Sequence, residues 1–326
     1  MVEVPTVRGP VDPASLGTTL MHEHVFVLTA DVQRNYPEGW DEPARIADAV
    51  ARLTELRAAG VDTIVDPTVI GLGRDIPLIQ RINAEVADLN IVVATGVYTY
   101  RDAPYYFRFR GPAVHPDLPE PMVDMFVRDL TAGIAGTRVR AAFLKCAIDE
   151  PGLTPDVDRI LRAVAEAHRR TGAPVMVHTH PGTRRGLDVL RVLVNEEGLD
   201  PRRVLLAHSG DTTDTDHLCH LADTGFLLGM DRFGLDTELP AADRLAVVVE
   251  MVRRGYAGQL VLSHDASCHL DWVDPALLAA LPDWNYLHIH RNILPALRER
   301  GVTDDQIRQM LVDNPRRYFE SSGDPT

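Results

Sequence analysis

Short apolar or β-branched runs recur along the chain. Each is followed by a stretch with apolar residues at three- and four-residue spacing, the pattern of parallel strands joined by crossover helices. Eight runs are predicted as strands: GTTLMHEH at 17–24, DTIVDPT at 62–68, IVVATGVYTY at 91–100, AAFLKCA at 141–147, PVMVHTH at 174–180, RVLLAHSGD at 203–211, FLLGMDRFG at 226–234 and LVLSHDAS at 260–267. Helices are predicted between them, for example over 44–60, closing on Gly60, and over 154–172, opening at Thr154 before Pro155 and closing on Gly172. The stretch 302–320 predicts a last helix ending near Asn314 and Pro315, and 320–326 reads as a frayed tail. Eight such units with no linker or composition break predict an α/β fold, a single-domain (β/α)8 TIM barrel over residues 1–326. A doubly wound open sheet is the alternative, but no GxGxxG opens the first helix.

Composition narrows the partners. With 45% hydrophobic and 25% charged residues, the 326-residue chain is expected to bury a substantial core. A net charge of -14 argues against nucleic acid or an anionic membrane as the main partner and favours a small molecule. Three scattered cysteines, Cys146, Cys219 and Cys268, fit neither a disulfide scaffold nor a CxxC zinc site, so a reducing cytoplasm is the expected location. The N-terminal stretch lacks the basic and apolar regions of a signal peptide, and no apolar run approaches a membrane span.

The informative polar residues fall at the C-terminal ends of the predicted strands, the end at which barrel enzymes keep their chemistry. They are His22 and His24 on the first strand, Lys145 on the fourth, His178 on the fifth, His208 on the sixth and Asp265 on the eighth. Residues two apart on a strand share a face, so His22 and His24 are expected to project together while Glu23 points away. A lone histidine is more often a satisfied core residue, and a lone lysine at a strand end more often reaches solvent. Here the set outweighs both. Four imidazoles and a carboxylate suit Zn²⁺ or a similar transition metal better than Mg²⁺ or Ca²⁺. Lys145 would be repelled by metals if protonated. Burial and the metals should depress its pKa, and the neutral amine can add CO₂ to give a carbamate with two oxygens able to bridge two ions. His180 and His264 are expected to support the site rather than to ligate.

The motifs HEH at 22–24, Lys145, HT at 178–179, AHSGDT at 207–212 and LSHD at 262–265 resemble the binuclear-metal branch of the amidohydrolase superfamily. More closely, MHEHVF, ATGVYTY, GMDRFGLD and SHDASCHLDW are similar to the phosphotriesterase-like lactonases. The resemblance implies two divalent transition metal ions (Zn, or Co, Fe or Mn), one held by His22, His24 and Asp265 and the other by His178 and His208. Carboxylated Lys145 and a hydroxide would bridge them. It implies that Asp265 moves the proton, and that Tyr98 and Arg232 are the residues separating lactonases from phosphotriesterases. Their plain alternatives are an aromatic packing residue and a surface salt bridge. It also implies that the long loop 263–284 covers an acyl chain, with Cys268, Trp272 and its leucines as substrate contacts, although Ser267 stands where family members often carry a further cysteine. Opening of N-acyl homoserine lactones or aliphatic oxo-lactones is the expected activity, with promiscuous phosphotriester hydrolysis. Quorum quenching and a homodimer follow by analogy. The alternatives are a phosphotriesterase proper, a mononuclear deaminase and a non-catalytic ligand-binding barrel. The deaminase is disfavoured because it has no need of Lys145 and because HTHPGTRRG lacks the glutamate it would use.

Overall fold

The computed structural model describes residues 3–320. Its strands are β1 (Thr19–Leu20), β2 (His24–Val27), β3 (Thr63–Asp66), β4 (Asn90–Gly96), β5 (Phe143–Ile148), β6 (Val175–Thr179), β7 (Val204–Ala207), β8 (Leu227–Met230), β9 (Leu260–Leu262) and β10 (Ser267–Leu270). Eight of them form one parallel sheet in the order β1-β3-β4-β5-β6-β7-β8-β9, each beside its predecessor in sequence. This is the winding of a (β/α)8 barrel rather than of a doubly wound sheet, whose order reverses at a switch point. Helices such as Glu42–Ala58 and Pro155–Thr171 fill the gaps. The second is capped as its sequence requires: the Thr154 hydroxyl accepts from Val157 N, and Gly172 adopts a left-handed φ of 69°. Among the described residues, no helix is long and apolar enough to cross a membrane.

Alternation along each strand divides the apolar residues into two sets. Phe143, Met176, Leu205, Leu227 and Val261 pack inside the barrel, while Leu144, Val177, Leu206, Leu228 and Leu260 pack outward under the helices. Two positions past Phe143 and Met176 stand Lys145 and His178. The strand period therefore delivers both to the barrel axis.

The barrel is joined at its seam differently from the continuous first strand expected over 17–24. β1 stops at Leu20, the chain bends, and β2 pairs with β10 in a separate two-stranded sheet, with His24 opposite Ser267. Across the bend, His22 N donates to Ser263 Oγ (2.8 Å), Asp265 N to the His22 carbonyl (3.0 Å) and His24 N to the Ala266 carbonyl (2.8 Å). Glu23, fully buried, accepts from Ser263 Oγ (2.9 Å), His264 N (2.9 Å) and Ala266 N (3.1 Å), and its Oε1 lies 2.6 Å from His264 Nδ1. Glu23 and His264 thus lace the seam.

The last helix also departs from expectation. It opens with a Thr303–Gln306 capping box but does not stop at Asn314 and Pro315. A π-type turn at Gln309–Asp313 precedes helix Asn314–Glu320, and the wider turn accommodates the proline's missing N–H and its ring. Buried Asn314 then ties the helix to the Ala257 and Leu260 carbonyls (2.8 and 2.7 Å). Residues 321–326 of the tail read as frayed lie outside the described residues.

Candidate metal centre

The strand ends converge on a cavity of about 170 Å³ at the C-terminal mouth of the barrel. It is lined by His22, His24, Lys145, His178, His208 and Asp265 together with Tyr98, Arg232 and Trp272. One half of the cluster lies on the seam. His22 Nε2 and His24 Nε2 stand 3.2 and 3.1 Å from the same oxygen, Asp265 Oδ1. Three ligand atoms this close, two nitrogens and a carboxylate oxygen, make a coordination site for a borderline divalent ion. The other half gathers Lys145, His178 and His208, with the His178 and His208 rings 4.5 Å apart at 72°.

His208 is brought in by its backbone. Leu205 and Ala207 of β7 face inward, so continued alternation would turn the next residue toward the helices. His208 instead has φ 65°, and Asp265 has φ 54°. Left-handed conformations are rare outside glycine and cost on the order of 1–3 kcal/mol each. Two of the four among described non-glycine residues fall on expected metal ligands, so strain is concentrated at the site.

Carboxylates, those of Asp66 and Asp231 buried and that of Asp149 partly exposed, hold the histidines. Asp231 bridges His22 Nδ1 (2.9 Å) and His208 Nδ1 (3.0 Å), which leaves each ring's other nitrogen free for a ligand. His24 Nδ1 is 2.7 Å from Thr68 Oγ1, and that threonine is bonded in turn to Asp66 (2.5 Å). His178 Nε2 is 2.5 Å from Asp149 Oδ2. Sequence reasoning missed Asp66, Asp149 and Asp231. All three stand at or one residue past the end of an apolar strand, the same signal that singled out the histidines.

Electrostatics separates the two halves further. Burial opposes the charge on His24, but the Asp265 and Asp66 carboxylates raise its pKa to about 9. Burial lowers His178 to about 4, aided by the nearby Arg232 and Lys145 cations. Asp265 resists burial through the neighbouring His22, His24, His208 and Arg232, which hold its carboxyl well below the usual range. Lys145 is 1% exposed, its Nζ has no hydrogen-bond partner among the described residues, and burial lowers its pKa to about 8 although Asp265 and Asp231 oppose the shift. An orphaned amine beside imidazoles and carboxylates is the feature a metal pair would explain. The donor set, all nitrogen and oxygen, fits it.

Tyr98 and Arg232 both line the cavity. The Tyr98 ring meets His178 edge-on at 5.2 Å, and its hydroxyl donates to Tyr100 Oη (2.8 Å). Arg232 is no surface ion pair: its side chain is 16% exposed, with Nε on Asp265 Oδ2 and an Nη on Asp211 Oδ2, both at 3.0 Å. Tyr100 was not anticipated, although it stands two residues after Tyr98 in the same run. Its ring stacks on His178 at 5.5 Å.

Two expectations about the eighth loop are corrected. Trp272 lies in the cavity wall, 6.0 Å from the Tyr98 ring, but Cys268 does not. In β10, Ser267 faces the cavity, so alternation turns Cys268 to the other side, where its Sγ is buried 3.2 Å from Tyr286 Oη. The loop's helix, Pro275–Ala279, buries none of its residues, and Leu277 is 51% exposed. Of the leucines in 263–284, Leu270 alone reaches the cavity wall, where Trp284 of the same loop and Val27, Leu72 and Leu235 from elsewhere join it. His180, two residues after His178, bonds Thr183 Oγ1 (2.9 Å) outside the cavity.

The model of the phosphotriesterase family matches residues 2–319. The chain is 58% identical over 325 residues to a phosphotriesterase homology protein of Mycobacterium tuberculosis, covering 99% of both chains. It is 35% identical over 322 residues to an aryldialkylphosphatase of Saccharolobus solfataricus, covering 98% of this chain and 100% of that one. The structure of the phosphotriesterase from Mycobacterium tuberculosis superposes with a TM-score of 0.96 at 57% identity, covering 98% and 99% of the two chains.

Proposed function

Since the chain belongs to the phosphotriesterase family and is a metal-dependent hydrolase, we propose that its principal reaction is the opening of lactone rings, N-acyl homoserine lactones or aliphatic oxo-lactones, with phosphotriester hydrolysis as a secondary activity. The observation that carries the reading is the cavity itself. Its wall holds the Tyr98 phenol beside Arg232 and Asp265, placed to donate to the carbonyl oxygen of a cyclic ester.

Two divalent ions, on His22, His24 and Asp265 and on His178 and His208 with carboxylated Lys145 shared, would supply Lewis acidity and a water acidified toward a pKa of about 7. Carboxylation joins the neutral Lys145 amine to CO₂ as a carbamate and releases one proton. Asp265 accepts the proton of the attacking water and returns it to the alkoxide that leaves as the ring opens. Arg232, bonded to Asp265 Oδ2, fixes the orientation of that carboxylate. Tyr98, close enough to Asp265 and Arg232 to feel both charges, turns its O–H from Tyr100 Oη to the carbonyl oxygen as negative charge develops there. Burial holds that phenol protonated, its pKa well above the ordinary value, so it remains a donor. Val27, Leu72, Leu270, Trp272 and Trp284 exclude water and receive the apolar chain.

The test is a set of initial rates on a long-chain N-acyl homoserine lactone, an alkyl γ-lactone and an aryl phosphotriester, measured side by side. At least one lactone should exceed the phosphotriester in kcat/KM by about 100-fold, near 2.7 kcal/mol of transition-state discrimination. A phosphotriester turned over as fast as either lactone would reverse the assignment.

A further inference from the structure

From Asp265 a row of charged side chains runs out of the cavity to a surrounding helix. Asp265 presents Oδ1 to the His22 and His24 nitrogens and Oδ2 to Arg232 Nε. Arg232 then places an Nη 3.0 Å from Asp211 Oδ2, and the other oxygen of Asp211 accepts from an Nη of Arg244. The signs alternate along the row. Exposure falls as it leaves the cavity, from 16% for the Arg232 side chain to 5% for Asp211 and 0% for Arg244.

Arg244 gives the row a fixed end. It stands on the helix Ala241–Arg253 and is the largest of the fully buried side chains among the described residues. A buried guanidinium is costly unless its charge and its donors are met. Beyond Asp211, its Nη atoms donate to the carbonyls of Gly210 (3.2 Å), Leu235 (3.4 Å) and Leu239 (3.3 Å), so one planar group gathers the loops after β7 and β8. Asp211 is anchored a second time, its N donating to the carbonyl of His208 (3.1 Å). An arginine held by one carboxylate can swing about that contact. Held between Asp265 and Asp211, which stand past the ends of different strands, Arg232 has its plane fixed.

We propose that Asp211 and Arg244 are positioning residues for the reaction: through Arg232 they hold the Asp265 carboxylate in the orientation from which it takes the proton of the attacking water and returns it to the leaving alkoxide. The inference rests on the reading of Asp265 as the group that moves the proton. Neither Asp211 nor Arg244 lines the cavity, so neither touches substrate. Their contribution is to keep Arg232 in place during the interval in which Asp265 carries the proton and grips the guanidinium less strongly.

The test removes the inner pair together. Asp211→Asn alone would leave the buried Arg244 cation without its anion and mix unfolding with lost turnover. Asp211→Asn combined with Arg244→Met leaves no uncompensated charge and should fold. Rates are taken well below the Tm of the least stable variant, on whichever of the three test compounds the parent turns over fastest, so the ranking of lactone against phosphotriester is decided separately. The pair variant should keep the parent's metal content by elemental analysis and its KM within about threefold, while kcat falls about 30-fold. Arg232→Met should lower kcat by at least as much. In that background the pair substitution should cost no more than about twofold further, because both positions act through one guanidinium. Arg244→Lys keeps a cation on Asp211 and is a milder probe: kcat should fall about fivefold, and only while Arg232 is present. Parental kcat in the pair variant, loss of its metal, or the full 30-fold loss persisting on top of Arg232→Met would overturn the proposal. Parental kcat in Arg232→Met itself would overturn it together with the reading of Asp265 on which it rests.

Discussion

The two ends of this barrel are built from the same strands and the same alternation of side chains, yet they hold opposite kinds of residue. Toward the base, the inward positions carry Phe143, Met176, Leu205, Leu227 and Val261, closed off by Phe319. Two residues further along β5 and β6 the same positions carry Lys145 and His178, and the backbone past the ends of β7 and β9 bends into left-handed conformations to add His208 and Asp265. The base is closed by apolar packing. The mouth leaves an amine without a partner and aims imidazoles at an open space, so its incomplete bonding is the mark of a site that completes itself with metal and substrate.

That division can be broken most directly at Lys145. Lys145→Ala should reduce kcat/KM for the preferred lactone by at least about 10³-fold, and elemental analysis should find fewer than two metal ions per chain. The fold should survive, because the lost amine has no hydrogen bond to give up. Retention of both metals and full activity would mean that the amine is merely buried, and the mouth would no longer differ in kind from the base. The complementary change is Phe143→Ala, two residues away on the same strand and fully buried against Phe319 at 6.2 Å between rings. It should cost about 3–5 kcal/mol in urea unfolding while the folded enzyme keeps its kcat/KM within about threefold. A loss of turnover as deep as that of Lys145→Ala would show that packing and chemistry cannot be separated along β5.

Asp231→Ala sharpens the comparison within the mouth. This one carboxylate orients both His22 and His208, so its loss should weaken metal retention and activity together by about 10–100-fold. Metal competition with a chelator would read the first effect, and initial rates the second. An unchanged affinity would leave Asp231 a packing residue. Tyr98→Phe acts later in the reaction. It should slow lactone opening about tenfold or more and phosphotriester hydrolysis less, because the phenol serves the carbonyl oxygen. Equal losses on the two substrates would remove that role.

Much of this contrast was legible in the sequence, and its limits have physical causes. The eight strand runs, the Thr154 and Gly172 caps and the placement of Lys145 and His178 follow from period and local chemistry, which act over a few residues. The bend that separates His22 from His24 depends on pairing with β10, more than two hundred residues away, so the continuous first strand was wrong even though both rings reach the cavity. His208 shows the converse: by alternation alone it would have faced the helices, and only its left-handed backbone corrects this. Asp66, Asp149 and Asp231 carried the same positional signal as the histidines but were passed over, because an aspartate at a strand end also reads as the start of a turn.

The finest distinction concerns two neighbours on β10. Ser267 faces the cavity and Cys268 the packed interior, one residue apart and on opposite sides of the same strand. If acyl-chain preference is set by what lines the cavity, Cys268→Ala should leave the ranking of lactones by chain length unchanged and cost only about 1 kcal/mol of stability for a small buried thiol. Ser267→Leu, by contrast, should disfavour long chains by filling the wall. Should Cys268→Ala reorder the chain lengths while Ser267→Leu does not, the loop must reverse its faces when substrate enters, since a strand with this register cannot present both residues to the same side.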